Sequence, residues 1–184
     1  LPDRSFADRV FLTRRGTPRL VPCAVLFLDL LGVREMNRGP LRDVKRNLAA
    51  LEQAVSTRYR DYLSAESPWP ASFFSDTLVL AAPAEPGRED KVEAVAGLVV
   101  QAAQLQLDLI GEGFFARGGL TLGMFHIRDG LIFGPALADA YELESRDAVH
   151  PRIVLDKLAE ATQRGTAAVD GSALLCDADG WTFI

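Results

Sequence analysis

The stretch Cys23 to Met36 reads CAVLFLDLLGVREM, and the fold turns on it. Its apolar run, Ala24-Val25-Leu26-Phe27-Leu28, has the composition of a strand buried on both faces. The run ends at Asp29, an acid that an apolar interior accepts only with a compensating partner. Gly32 then loosens the turn and a helical pattern begins, so backbone N–H groups around Leu31 to Arg34 could point outward as a phosphate cradle beside the acid. A strand-end Asp that merely caps the next helix fits the same pattern.

A second acid bears on that choice. In Ala71-Ser72-Phe73-Phe74-Ser75-Asp76-Thr77-Leu78-Val79-Leu80-Ala81, two short apolar segments flank Ser75-Asp76-Thr77, which reads as a tight hairpin with Asp76 at its tip. Pro68 and Pro70 end the helix upstream. A solvated turn Asp is one reading of Asp76. The other is that two such tips meet: the carboxylates then repel unless divalent cations neutralise them, and oxygen ligands beside phosphate favour magnesium or manganese.

Outward from these acids, 184 residues suit one domain with a real core, here 21–184 after a lead-in over 1–20. A net charge of -5 argues against duplex nucleic acid as the main partner. Cys23 and Cys176 sit in apolar surroundings without metal-like spacing and suit reduced, buried thiols in a cytoplasm. No membrane-crossing run and no signal-peptide arrangement is expected. The chain opens at Leu1 and closes at Ile184 inside an apolar segment, as a trimmed piece would. The lead-in is rich in Arg with weak periodicity and reads as solvated.

Helical periodicity runs from about Leu41 to Ser64 on Val44, Leu48, Leu51, Val55, Tyr59 and Tyr62, with Arg42, Lys45, Arg46, Arg58 and Arg60 on the polar face. A second helix, from about Lys91 to Glu112, is built on Val95, Leu98, Val99, Ala102, Leu105 and Leu109. Phe114 to Ile127 is a strand that contains Arg117 and three glycines, Gly118, Gly119 and Gly123, which either bulge or admit another backbone. Arg128-Asp129-Gly130 turns the chain into Leu131-Ile132-Phe133, Gly134-Pro135 opens a helix to about Ser145, and Arg152 to Leu155 is a strand followed by a short helix, Lys157 to Gln163. A last hairpin is expected from 173–176 and 181–184. The progression βαββαβ predicts an α+β sandwich of the ferredoxin-like kind, a mixed sheet with helices covering one face. In that topology the first strand neighbours the hairpin, which brings Asp29 and Asp76 to one sheet end.

The segments FLDLLG, FSDT, RGGLTLG and FGPALADAYELE, spread between Val21 and Leu155 and followed by PRI, resemble class III nucleotidyl cyclase catalytic domains. Within that group they are most similar to the pyrimidine cyclases of the Pycsar anti-phage system. The resemblance implies cyclisation of UTP or CTP to a 3′,5′-cyclic mononucleotide plus pyrophosphate, two Mn2+ or Mg2+ ions, a homodimer with composite sites, and a separate effector that binds the cyclic product. By position it implies Asp29, Asp76 and the Leu30 carbonyl as metal ligands. It further implies Leu31, Gly32 and Val33 as the triphosphate turn, Arg117 as a phosphate or base contact, and Ser72 and Phe74 as walls of the base pocket.

The sequence departs from the purine cyclases at four places. Ser72 stands where they carry a base-reading Lys, Leu131 where they carry an Asp, and Ala138 and Glu142 where they carry the transition-state Asn and Arg. A smaller base needs different hydrogen bonds, so these departures suit a pyrimidine enzyme; a catalytically silent cyclase-like domain and a purine cyclase are the alternatives. A dinucleotide cyclase is disfavoured because Ser75-Asp76 replaces its Gly-Gly-acidic hairpin. His126 and His150 are read as packed or surface residues, not as general bases.

Overall fold

The computed structural model describes residues 5–62, 67–84, 88–164, 175–176 and 182–184. Strand β1 (Val21–Leu30) is its axis, paired antiparallel to β3 (Thr77–Pro83) on one side and to β4 (Ala116–Arg128) on the other. β2 (Ala71–Phe74) pairs with β3 as a hairpin, β5 (Leu131–Phe133) pairs with β4, and β6 (Ile153–Leu155) lies parallel to β4. β8 (Thr182–Phe183) and β7 (Leu175–Cys176) extend the sheet, giving the order β2-β3-β1-β4-β6-β8-β7. The turn of the expected last hairpin falls outside the described residues.

The apolar run of β1 is buried on both faces, and its alternation divides the core. Ala24, Leu26, Leu28 and Leu30 pack with Val95, Leu98, Ala102, Leu105 and Leu109 of α4 (Arg88–Gly111), while Cys23 and Val25 pack on the opposite face with Ala136 and Ala140 of α5 (Pro135–Arg146). Helices α3 (Leu41–Tyr62), α4 and α6 (Lys157–Arg164) belong to the first face. The expectation of helices on one face therefore holds for the two long ones. The second face is also covered, by α5 and the N-terminal α1 (Phe6–Phe11), because a strand apolar on both sides must bury both.

Two glycines, Gly119 and Gly123, let α5 lie directly on β4, and Gly118 admits the neighbouring strand. A Cβ at Gly119 would overlap the Ala140 carbonyl oxygen, and one at Gly118 the Phe27 carbonyl oxygen across the sheet. Close approach, rather than a bulge, is thus the answer to the glycine pattern. Asp129 (φ 50°) and Gly130 (φ 80°) form the two-residue turn between β4 and β5.

Three expectations need correction. Cys23 is buried, but Cys176, on the two-residue strand β7, is exposed. The lead-in is not wholly solvated: Ser5 caps α1 by accepting from the Asp8 amide, Phe11 is fully buried edge-on against His126, and Arg128 Nε donates to Asp8 Oδ1 at 2.6 Å. His126 Nδ1 lies 2.9 Å from the Arg19 carbonyl oxygen, so that nitrogen carries the proton. On α3, Leu48 is 62% exposed and Ala54 is buried in its stead, because α3 faces α4 more than the sheet. The side chains of Arg58, Tyr59, Arg60 and Tyr62 lie outside the described residues. By length and composition α4 could cross a membrane, yet Val95, Leu98, Val99 and Ala102 are fully buried in the core.

Candidate active site

The site forms where β1 outruns its cover. Burial alternates over its last residues, with Leu28 and Leu30 buried and Phe27 and Asp29 only partly so, which places Asp29 on the α5 face at the open end of the sheet. Thr77 and Arg117 flank it across the two antiparallel ladders. Beside it the β2–β3 hairpin closes in a two-residue turn, Ser75-Asp76, with Ser75 at φ 58°. The Leu30 N–H donates to the Asp76 carbonyl at 2.8 Å, so the backbone of the second acid is tied to the strand that carries the first.

The electrostatics of the corner follow from this geometry. Burial raises the Asp29 carboxyl above its ordinary range, the nearby Asp76 charge raises it further, and the Arg117 guanidinium offsets part of the rise. Arg117 Nε lies 3.8 Å from Asp29 Oδ2 and 2.5 Å from Glu144 Oε1. Glu144, on α5, is almost wholly buried; burial raises its carboxyl, Arg117 opposes the rise, and Asp29 adds to it. Three carboxylates and one guanidinium thus share one corner, an acidic excess suited to a divalent cation. Among the described residues no three His, Cys, Asp or Glu side chains close a complete metal shell. Asp29 and Asp76 would therefore be joined by backbone, water or phosphate oxygens, as magnesium sites commonly are.

Gly32, at φ 83°, caps the short α2 (Val33–Met36). The Leu31 amide is already committed to the Phe115 carbonyl at 2.8 Å, which narrows the expected cradle to Gly32 and Val33. Ser72 is half-buried on β2, and Phe74 is 80% exposed at the hairpin tip. His126 lies toward the far end of β4 from Arg117, and His150 is exposed. Glu144 is the site residue that sequence reading missed. Its signal was present: Ala136, Ala140, Leu143 and Glu144 share the buried stripe of α5, where an acid is out of place.

The chain superposes on solved structures of cyclases and of a cyclase-like protein. The chain superposes on guanylyl cyclase Cya2 with a TM-score of 0.58 at 15% identity, covering 89% of this chain and 90% of that one. The fold is that of the class III nucleotide cyclases. A class III adenylyl cyclase-like ATP-binding protein from Pseudomonas aeruginosa gives a TM-score of 0.59 at 19% identity, over 84% of this chain and 37% of that one. The guanylyl cyclase domain of the RhoGC fusion protein from the aquatic fungus Blastocladiella emersonii gives 0.56 at 14% identity, over 90% and 94%. No protein-family model and no curated protein sequence matches the chain.

On this fold three of the four sequence departures, Leu131, Ala138 and Glu142, are surface positions, and Ser72 is half-buried. Leu131 is 60% exposed on β5, and Ala138 and Glu142 are exposed on α5. Ala138 joins Phe27, Phe133, Pro135 and Tyr141 in lining an open apolar groove of about 690 Å3. Phe27 meets Tyr141 edge-on at 5.5 Å and precedes Asp29 by two residues on the same face of β1.

Proposed function

We propose that the chain is a pyrimidine nucleotide cyclase that converts UTP or CTP to the 3′,5′-cyclic mononucleotide and pyrophosphate. The observation that carries this reading is the meeting of Asp29, on β1, and Asp76, in the β2–β3 turn of a cyclase fold, at an acidic corner that also holds Arg117. The pyrimidine assignment draws on Ser72, Leu131, Ala138 and Glu142 standing where purine enzymes carry their base-reading and transition-state groups.

In the reaction the ribose 3′-oxygen attacks the α-phosphorus in line, pyrophosphate leaves, and the 3′-proton passes to water or to substrate phosphate. Two Mn2+ or Mg2+ ions, when bound, supply Lewis acidity toward the 3′-hydroxyl and counter-charge for the β- and γ-phosphates. Asp29 and Asp76 hold that charge in place, with the Leu30 carbonyl as a third oxygen. Gly32 and Val33 at the start of α2 orient the triphosphate, and Arg117 contacts phosphate or base. Ser72 and Phe74 wall the base, and the protein acts as a homodimer with composite sites. The enzyme works in the cytoplasm, and its product signals to a separate cyclic-nucleotide-binding effector in anti-phage defence.

Incubation of the purified protein with each of the four ribonucleoside triphosphates and Mn2+ tests the reading. The expected result is a cyclic product from UTP or CTP, abolished in Asp76→Ala. No product from any triphosphate, with the protein folded and dimeric, rejects the enzyme; product from Asp76→Ala rejects the site.

A further inference from the structure

We propose that Glu144 is the positioning residue of this site, a buried carboxylate on α5 that holds Arg117 by Nε so that the outer guanidinium faces the space beside Asp29 and Asp76. This rests on reading those two acids as a cation and triphosphate site. Among the described residues no other carboxylate is as buried as Glu144, at 3% exposure. A buried acid demands a counter-charge, and Arg117 is the cation that meets it. Nε makes the nearest approach to both acids, 2.5 Å to Glu144 against 3.8 Å to Asp29, so Glu144 is the tighter partner. Nε itself is buried, whereas 31% of the Arg117 side chain stays accessible.

The contact lacks aligned hydrogen-bond geometry at both Nε and Oε1, so charge and packing hold it. α5 fixes Glu144 from behind through Ala136, Ala140 and Leu143, and Gly119 admits that helix to the sheet. Without Glu144, the remaining acid for Arg117 is Asp29. Pairing there would set the guanidinium in competition with the cation. Glu144 thus keeps Asp29 available and Arg117 aimed at phosphate, the part a supporting carboxylate plays around metal sites.

The Arg117 Nε–H resonance, assigned by its loss in Arg117→Lys, gives a readout independent of turnover. It is expected to resist solvent exchange in the wild type and in Asp29→Asn, and to lose that protection in Glu144→Gln. Loss of protection in Asp29→Asn would make Asp29 the anchor and overturn the proposal, a comparison that stands even if Glu144→Gln does not fold. Mn2+ affinity, read by electron paramagnetic resonance, should fall about 10- to 100-fold in Glu144→Gln and recover when Arg117→Met is added. Unchanged affinity in folded Glu144→Gln overturns the proposal. If the resonance follows Glu144 while no triphosphate is cyclised, the cyclase reading falls and the positioning role stands. If triphosphate is cyclised while the resonance follows Asp29, the reverse holds.

Discussion

Asp29 is costly to keep ionised. Its carboxyl is raised above the ordinary 3.8, so between that value and its folded value the native state binds more protons than the unfolded chain, and stability falls as pH rises through that window. At neutral pH the charge therefore works against the fold. Asp29→Asn should raise the melting temperature by about 2–4 °C, the response to about 1 kcal/mol in a chain of this size. Mn2+ should raise the melting point of the wild type and leave that of the variant unmoved, as differential scanning calorimetry can show. The acid itself was legible, since an Asp closing an apolar strand is conspicuous by type. Glu144 was not, because a Glu in a charged helical segment reads by default as solvated and only its place on the buried stripe of α5 says otherwise. The Leu31 amide was misread for a different reason: its acceptor, Phe115, is distant in sequence.

Between elements, contacts at the two ends of β4 decide what stays attached. At one end, Gly119 lets α5 approach, and Gly119→Ala should cost about 1–3 kcal/mol by forcing helix from sheet, measurable by urea denaturation. At the other, Arg128 pins α1 through Asp8, whose carboxyl is held below its ordinary 3.8 chiefly by that hydrogen bond. A depressed acid contributes its full share above 3.8 and loses it as pH falls through the lowered value. Protection of the Phe11 amide, taken relative to its intrinsic exchange rate at each pH, should therefore fall on acidification before global unfolding, and Arg128→Gln should abolish that pH dependence. The glycine pattern and the α4 stripe were readable because they span many residues. α1 was not: it is 6 residues long, lies in an Arg-rich lead-in, and is too short for its period to register.

Across the molecule, topology does what no local signal can. The order βαββαβ sufficed to make β1 the neighbour of the hairpin, and hence Asp29 the neighbour of Asp76. The outer strands β7 and β8 fall within the hairpin that the sequence predicts, whereas the cover on the second face was out of reach, since α5 follows the repeat that sets the topology. If the working site is shared between two copies, specific activity should fall on dilution and return on concentration, whereas a self-sufficient chain would show constant specific activity.

The two-residue hairpin has a wider implication. A loop with no slack ties Asp76 to the pairing of β3, and an added residue would throw every β3 side chain to the opposite face. Lineages descending from such a chain are free to rewrite the walls around the corner by substitution, but lengthening this bend would forfeit the core together with the chemistry.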